Sequence, residues 1–304
     1  MLPTKPSPPG LVSSYLDALT RIESNYQQDQ AELVREICLP TLMTHGAPTA
    51  WALVFLHGFT NCPEQFCQLG RHFFDLGYNI YIPRQPFHGL PRPLSNHLAP
   101  VTAERLVAYG EQALELAHGL GERVMVVGFS GGGTVAAWLA QNRPDLDCAV
   151  VMAAMMGVSF IPSPITRPFA WLISRIPDFY MWKDPRTREK NPHTVDYAYP
   201  GYSFHAMSEV LRLGISVRAQ ARKAPPAAKR VILVFNDREP GVSNQEVSKC
   251  MKDWQARNSQ TILSAYHLEP DLKLPHDFIS PGTPGLDLDR IYQRLFPMIL
   301  DGMQ

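Results

Sequence analysis

The sequence predicts an α/β fold in which helices cover both faces of a mainly parallel sheet, with a helical cap inserted late in the chain. Apolar strand-like runs alternate with helical patterns along the 304 residues, as in proteins built on a parallel sheet. One interval of more than 70 residues, between residues 152 and 231, interrupts this alternation. A plain crossover helix needs far fewer residues, so this interval predicts an insertion.

The chain is expected to begin with a disordered tail, residues 1–12. Residues 1–10 contain four prolines and one lysine but no apolar stretch of signal-peptide length. Ser13 then caps a predicted helix that carries Leu16, Leu19 and Ile22 on one face. The glutamine-rich stretch 27–30 is expected to interrupt this helix.

Six apolar runs have the length and composition of buried strands, at residues 51–56, 79–82, 124–127, 148–152, 231–235 and 261–266. We therefore assign the α/β core to residues 13–157 and 229–304, and the cap to residues 158–228. The chain is long enough for one large domain with such an insertion.

The predicted cap is rich in aromatic residues. Nine fall within 36 residues, although aromatics make up 10% of the chain: Phe169, Trp171, Phe179, Tyr180, Trp182, Tyr197, Tyr199, Tyr202 and Phe204. One interpretation is an apolar substrate pocket formed by Trp171, Phe179, Tyr180 and Trp182 together with Phe59 and Phe129 of the core. The alternative is that the aromatics form the insertion's own core.

Ser130 lies in the sequence GFSGGG, residues 128–133, between an apolar run and a helix-like segment. A serine on a sharp strand-to-helix turn needs glycines around it, since side chains at Gly128 and Gly132 would collide there. Such a turn lifts the hydroxyl above the sheet, near the positive end of the following helix. Ser130 is therefore the predicted nucleophile, with a simple glycine-rich turn as the alternative.

A serine hydroxyl needs a base, and the base needs an acid to orient it. In a sheet of this kind both partners follow later strands, in the order serine, acid, histidine. His276 comes after the last strand-like run and is the predicted base. The acid should follow the run 231–235, where both Asp237 and Glu239 occur. Both carboxylates are candidates at this point, and a Pro240-Gly241 turn directly follows Glu239; Asp237 remains the alternative acid.

An oxyanion hole requires two backbone N–H groups, one after the nucleophile and one in the loop after an early strand. These requirements predict Gly131 and Phe59 as the donors. His57, in the same loop as Phe59, is expected to brace the loop by hydrogen bonding. His88 is also expected to have a structural role.

Four motifs in this order resemble the α/β-hydrolase superfamily: His57-Gly58-Phe59-Thr60, Tyr81-Ile82-Pro83-Arg84, Gly128-Phe129-Ser130-Gly131-Gly132 and Leu274-Pro275-His276-Asp277-Phe278. The resemblance covers about residues 50–300 and is to the capped carboxylesterase, monoacylglycerol lipase and serine aminopeptidase group. It implies the α/β-hydrolase fold and a Ser130–His276–acid triad. Hydrolases of this type often place the acid three residues before a valine, which selects Glu239. The departure is that the family usually has aspartate there.

The resemblance implies a serine hydrolase that cleaves carboxylic esters through an acyl-enzyme. An aromatic, weakly charged cap favours an apolar acyl group. Two alternatives remain at this point: an amide or peptide hydrolase, and a non-catalytic ligand-binding module of the same fold. Fold alone does not choose between them.

Composition excludes several other functions. Lys+Arg and Asp+Glu are balanced at 28 each, so no nucleic-acid partner is expected. No metal-binding spacing and no phosphate-binding loop occurs, so we expect no metal and no cofactor. Five cysteines at irregular spacing favour a reducing compartment, and the predicted location is cytoplasmic. The expected partner is a small-molecule acyl ester; membrane contact, which would involve the cap's apolar face, is not predicted.

Overall fold

The computed structural model describes residues 12, 14–91, 96–162, 164–166, 168, 172, 175–183, 195–257 and 260–304. A twisted sheet of seven strands forms the centre of this part of the chain. The described strands are β1 Thr41–Met43, β2 Thr49–Leu56, β3 Asn79–Ile82, β4 Gly121–Phe129, β5 Cys148–Met152, β6 Tyr180–Trp182, β7 Gly201–Ser203, β8 Arg230–Asn236 and β9 Ile262–Leu268. The described α-helices are α1 Tyr15–Ala31, α2 Glu64–Asp75, α3 Ala103–His118, α4 Gly131–Asn142, α5 Phe204–Ala221, α6 Asn244–Gln255 and α7 Leu288–Asp301. Short 3-10 helices cover Glu36–Cys38 and Pro270–Leu272.

The strand order in the large sheet is β1-β3-β2-β4-β5-β8-β9. All neighbours pair in parallel except β1, which runs antiparallel to β3 at one edge. The predicted mainly parallel sheet is therefore confirmed. Because these strands run in the same direction, the loops after β2, β4, β8 and β9 all lie at the carboxyl ends of the strands. This is the side of the sheet where α/β proteins place their binding sites.

Both faces of the sheet are covered by helices, as predicted. Along β2, Val54 and Leu56 belong to an apolar cluster shared with α1, α3, α4, α5 and α6. The alternating residues Leu53 and Phe55 belong to a second cluster shared with α2 and α7. These four side chains are fully buried, and burial of a leucine, valine or phenylalanine contributes roughly 1.5–3 kcal/mol. The two clusters fix the sheet rigidly beneath its loops.

The first helix differs from its prediction. It continues through the glutamine-rich stretch to Ala31, so the predicted interruption at 27–30 is wrong. Glutamine is a good helix former, and Gln27 donates to the Glu23 side chain one turn earlier at 3.0 Å. Ser14 is the N-cap, its Oγ accepting from Asp17 N–H at 3.2 Å. Ser13 and residues 1–11 of the predicted tail lie outside the described residues.

The buried face of α1 also differs from the expected one. Ile22 is buried as predicted, but Leu16 is 72% exposed and Ala18 takes the inward position. Strand β1 was not predicted, because it is only three residues long and two of them are half-buried. Short edge strands of this kind carry little periodic signal.

The predicted insertion, residues 158–228, contains a two-stranded antiparallel hairpin of β6 and β7 followed by α5. Val210, Leu213 and Val217 of α5 are buried in the same apolar cluster as α4. This helix thus packs directly on the α/β core, and the boundaries of the cap stay a prediction. No helix in the described part of the chain is both long and apolar enough to span a bilayer.

Candidate active site

Ser130 occupies the turn between β4 and α4 with φ 53° and ψ −113°. A positive φ is sterically costly for a residue with a side chain, and such strain persists only where the surroundings hold it. A Cβ on Gly132 would lie 2.0 Å from the Leu56 carbonyl oxygen, and one on Gly128 would lie 2.3 Å from the Gly132 carbonyl oxygen. The glycines of the GFSGGG sequence thus allow the close backbone approach that this turn requires.

Two hydrogen bonds join three side chains that are far apart in sequence. His276 Nε2 lies 2.9 Å from Ser130 Oγ, and His276 Nδ1 lies 2.7 Å from Glu239 Oε1. A carboxylate facing Nδ1 assigns the proton to that nitrogen, which leaves Nε2 free to accept the serine proton. The arrangement can therefore transfer a proton from Ser130 to His276.

Glu239 is held as a carboxylate in a buried position. Its side chain is 1% exposed, and its Oε1 also accepts the N–H groups of Gly241 at 2.8 Å and Val242 at 3.2 Å. Burial alone would raise the pKa of Glu239, but the contact with His276 and these two backbone donors outweigh it, so the pKa lies below its usual value. A charged Glu239 can stabilise a protonated His276.

Asp237, the alternative acid, lies elsewhere. Its Oδ1 is 2.6 Å from Nδ1 of His267, on the exposed edge of the sheet beside β9. Of the two predicted acids, the structure brings Glu239 to His276 and pairs Asp237 with a different histidine.

The two predicted oxyanion donors are neighbours. Gly131 is the first residue of α4, where a backbone N–H has no acceptor within the helix. A Cβ on Gly131 would lie 2.9 Å from the Phe59 nitrogen, so the two backbones approach closely. The orientation of the Phe59 N–H depends on the preceding carbonyl, because the N–H and C=O of a trans peptide point in opposite directions.

The Gly58 carbonyl, in that same peptide unit, is held by two donors. His57 Nδ1 lies 3.0 Å from it, and Asn61 N–H donates to it at 3.0 Å. His57 Nε2 in turn accepts the N–H of Gln85 at 3.0 Å, so His57 is neutral in this arrangement. Burial is the main cause that lowers the pKa of His57 well below its usual value, and the nearby His88 lowers this pKa further. His57 therefore stays neutral. His57 braces the loop, in the role the sequence predicts.

His88 supports the same loop from the other side. Its Nε2 accepts the Thr60 N–H at 3.2 Å and its Nδ1 lies 3.0 Å from the Pro86 carbonyl oxygen. Burial lowers the pKa of His88 to about 3. Neither His57 nor His88 contacts Ser130, and both serve to hold the loop that carries Phe59.

A cavity of about 600 Å³ opens over Ser130 and His276. Most of the side chains that line it are apolar, and they come from the core and from the insertion, including its helix α5: Phe59, Phe129, Met155, Val158, Phe160, Ile161, Met181, Val195, Ala198, Tyr202, Phe204, Met207, Leu211 and Val242. Polar groups are concentrated beside the loop that carries Phe59, where Asn61, Gln65, Asp277 and Lys183 contribute to the wall.

The predicted pocket residues fall into three groups. Phe59 and Phe129 line the cavity, whereas Trp171 lies outside the described residues. Phe179, Tyr180 and Trp182 are not among the described residues that line it. Successive side chains of a strand point to opposite faces, so Tyr180 and Trp182, which are two residues apart, lie on the same face. They pack against each other there, with 5.1 Å between ring centroids.

Met181, between these two aromatics, faces the cavity instead. The aromatic count therefore located the right hairpin but selected the wrong face of it. Phe179 packs on Phe204 at 4.6 Å between ring centroids, and Phe204 is the member of that pair that reaches the cavity. The signal for this difference is the alternation of side chains along a strand, which places Met181 on the face opposite to its two neighbours.

A mainly parallel sheet with a strained serine turn, a histidine and a buried carboxylate at the carboxyl ends of its strands is the arrangement typical of α/β-fold hydrolases. The model of the alpha/beta hydrolase family matches residues 53–296, and the chain belongs to this family. The superfamily membership and fold inferred from the four motifs are thereby confirmed.

The chain is also similar to individual members of the family. It is 26% identical to a thermostable monoacylglycerol lipase of Bacillus sp. (strain H-257) over 114 residues, which are 38% of this chain and 44% of that protein. The match thus spans less than half the length of this curated relative.

Three solved structures share the fold at low sequence identity. They are a metagenome-derived lipolytic enzyme of the LipS and LipT study, with a TM-score of 0.67 at 17% identity, a monoacylglycerol lipase of Paleococcus ferrophilus, 0.64 at 15%, and a soluble variant of monoglyceride lipase of Saccharomyces cerevisiae, 0.61 at 13%. These alignments cover 88%, 86% and 87% of this chain and 99%, 98% and 91% of the respective structures.

Proposed function

We propose that the protein hydrolyses carboxylic esters with an apolar acyl group, with Ser130 as nucleophile, His276 as general base and acid, and Glu239 as the acid that orients His276. The observation that carries this proposal is the continuous line of hydrogen bonds from Glu239 through His276 to Ser130, which ends in an apolar cavity. A nucleophile, base and orienting acid within hydrogen-bond reach are the requirements for acyl transfer.

In the first half-reaction, Ser130 Oγ attacks the ester carbonyl carbon while His276 Nε2 takes its proton. The carbonyl oxygen becomes an oxyanion, which accepts hydrogen bonds from the N–H groups of Phe59 and Gly131. His276 then gives the proton to the alcohol oxygen as the bond between that oxygen and the acyl carbon breaks. The products are the free alcohol and an acyl group esterified to Ser130.

In the second half-reaction, water replaces the alcohol. His276 takes a proton from the water as its oxygen attacks the acyl carbon. It then returns the proton to Ser130 as the carboxylic acid leaves. The negative charge of Glu239 favours the protonated His276 that forms in each half-reaction, because the two groups are in direct contact at 2.7 Å.

The preference for an apolar acyl group rests on the walls of the cavity. Met155, Ile161, Met207 and Leu211 line it, together with further apolar side chains of the core and the insertion. Transfer of one methylene from water to such surroundings is worth about 0.8 kcal/mol, or roughly fourfold in binding. Each methylene that the cavity accommodates should therefore raise kcat/KM until the cavity is filled.

The similarity to monoacylglycerol lipases supports the same chemistry. The amide or peptide alternative would need cap carboxylates that hold a substrate amine. Asp178 of the cap is instead engaged internally, accepting from Ser203 Oγ at 2.7 Å and His205 N–H at 3.0 Å. This engagement favours an ester over a charged peptide end.

The test measures hydrolysis of p-nitrophenyl esters from acetate to palmitate by wild-type protein and by Ser130→Ala. Ser208→Ala is a matched control, because Ser208 also lines the cavity but its hydroxyl donates to the His205 carbonyl at 2.7 Å. We expect activity that peaks at one chain length, disappears in Ser130→Ala and survives in Ser208→Ala. Full turnover by Ser130→Ala would refute the mechanism. A wild-type protein that an active-site phosphonate does not label at Ser130 would favour the non-catalytic alternative.

A further inference from the structure

Gln65, in the first turn of α2, joins two loops of the candidate active site. The side chain is buried, at 1% exposure. Its Oε1 accepts the Gly58 N–H at 2.7 Å, in the loop that carries the predicted oxyanion donor. Its Nε2 donates to Asp277 Oδ1 at 3.1 Å, and Asp277 is the residue after His276. One rigid amide thus spans the distance between the loop of Phe59 and the loop of the base.

The amide is fully satisfied, which explains why it can be buried. Nε2 also donates to Ser280 Oγ at 3.2 Å, so both amide hydrogens and the oxygen have partners. A buried amide without such partners would cost roughly 1–3 kcal/mol. Gln65 is therefore held in one rotamer and can transmit its position to the groups that it contacts.

Asn61 reinforces the link from the other side. Its Nδ2 donates to Asp277 Oδ2 at 2.9 Å and to Ser280 Oγ at 3.1 Å, and its N–H donates to the Gly58 carbonyl at 3.0 Å. The Asp277 carboxylate thus receives three donors, from Gln65, from Asn61 and from Ser280 Oγ at 2.6 Å. Gly58 is held at its N–H by Gln65 and at its carbonyl by Asn61.

Building on the proposed function, we infer that Gln65 is a positioning residue that sets the distance between the oxyanion donor Phe59 N–H and the base His276. The Gly58 carbonyl and the Phe59 N–H belong to one peptide unit, so a shift of Gly58 moves the donor directly. A shift of Asp277 moves its chain neighbour His276. Displacement of a reacting group by about 1 Å costs on the order of 100-fold in rate, so this separation has to be held closely.

The test is an exchange of amide and carboxylate between Gln65 and Asp277. Gln65→Glu alone places two carboxylate oxygens face to face, and Asp277→Asn alone allows two amide donors to meet. The double variant restores a donor opposite an acceptor, because an asparagine at 277 can donate to a glutamate at 65 and still accept from Asn61. The net charge is also that of the wild type.

We expect each single variant to lower kcat for a p-nitrophenyl ester by about 10- to 100-fold and to change KM much less, since the reacting groups are displaced while the apolar walls of the cavity stay in place. The double variant should recover to within about threefold of wild type, a coupling that independent sites do not show. Rates are counted per site titrated with an active-site phosphonate. If one single variant does not fold, the other still forms the comparison with the double variant.

Gln141→Glu is the matched control. Gln141 is also a buried glutamine with three hydrogen bonds, to Trp254, Ala224 and Pro225, but it lies at the end of α4 remote from Ser130. The Gln141→Glu variant should lose thermal stability but keep the wild-type kcat per titrated site. If Gln65→Glu and Asp277→Asn behave in this way too, or if their effects on kcat simply multiply in the double variant, the inference about Gln65 is wrong while the proposed function stands. A wild-type protein that neither turns over esters nor reacts with the phosphonate overturns the proposed function and the positioning role together.

Discussion

Replacing Glu239 with glutamine removes one negative charge from the buried end of the hydrogen-bonded line and keeps the size of the side chain. Oε1 receives three donors, from His276, Gly241 and Val242. Oε2 is buried and receives no hydrogen bond from the described residues. An amide with its oxygen at Oε1 would therefore leave its NH₂ group without an acceptor. The opposite orientation would present N–H groups to the three donors.

The size of the effect follows from the lost charge. A hydrogen bond to a charged group contributes about 1.5–3 kcal/mol, which corresponds to about 10- to 150-fold in rate if it stabilises only the protonated His276 of the transition state. We expect kcat for Glu239→Gln to fall by about this factor. KM should change little, because Glu239 is not among the described residues that line the cavity.

The assay is p-nitrophenyl ester hydrolysis at saturating substrate, with the folded fraction measured by near-UV circular dichroism. Asp237→Asn is the matched control, since it also neutralises a carboxylate hydrogen-bonded to a histidine, His267, in the same loop. Its kcat should stay within about twofold of wild type, as is usual for a change that does not reach the reacting groups. A Glu239→Gln variant that keeps its kcat, or an Asp237→Asn variant that loses as much, would refute this role of Glu239.

Three further predictions concern the scaffold and the cavity. Because burial lowers the pKa of His88 from 6.5 to about 3, the unfolded state binds a proton that the folded state does not, so the free energy of unfolding should fall as the pH drops through this window. Urea titrations at several pH values should show that the free energy of unfolding depends less steeply on pH in His88→Gln than in wild type, by up to about 1.4 kcal/mol per pH unit. Equal slopes in the two proteins would contradict a lowered pKa of His88. Leu211→Trp fills part of the cavity and should shift the preferred p-nitrophenyl ester to a shorter acyl chain; an unchanged preference would place the acyl group elsewhere. Gly132→Ala brings a Cβ to 2.0 Å from the Leu56 carbonyl oxygen and should cost at least about 1–3 kcal/mol, so an unaltered melting temperature would be incompatible with the turn.

Strands β3 and β5 could be predicted closely because they are buried on both faces. Residues 148–152 and 79–82 were predicted with the bounds that the structure has, and every residue of both strands is buried. A continuous apolar run is the expected signal for such strands. The end of helix α1 was harder to predict. Its long exposed surface tolerates polar residues, and the polar stretch 27–30 resembles the end of a helix in sequence although the helix continues through it. Its inward face depends on Ala18 and Ile22, which pack against the rest of the core.

The lining of the cavity could not be predicted at the same level. It depends on how the insertion folds over the sheet, and composition alone does not determine that arrangement. Met181 faces the cavity because β6 pairs with β7 in a register that opposes Met181 to Tyr202, another residue of the cavity wall. Such a register is set by contacts between segments about twenty residues apart rather than by the local sequence.

The choice between Glu239 and Asp237 shows how the sheet register determines which acid can meet the base. Asn236 is the last residue of β8, and Phe235 pairs with His267 on β9, so Asp237 emerges beside that strand and contacts His267. Glu239 follows a turn in which its N–H donates to the Asn236 carbonyl at 3.0 Å. That turn redirects the chain away from β9, and the next two N–H groups after Pro240 then hold the Glu239 carboxylate toward His276. An acid at position 237 would need β8 to end elsewhere, in agreement with the spacing of three residues to Val242 that selects Glu239 in the sequence and with the Pro240-Gly241 turn that fits this placement.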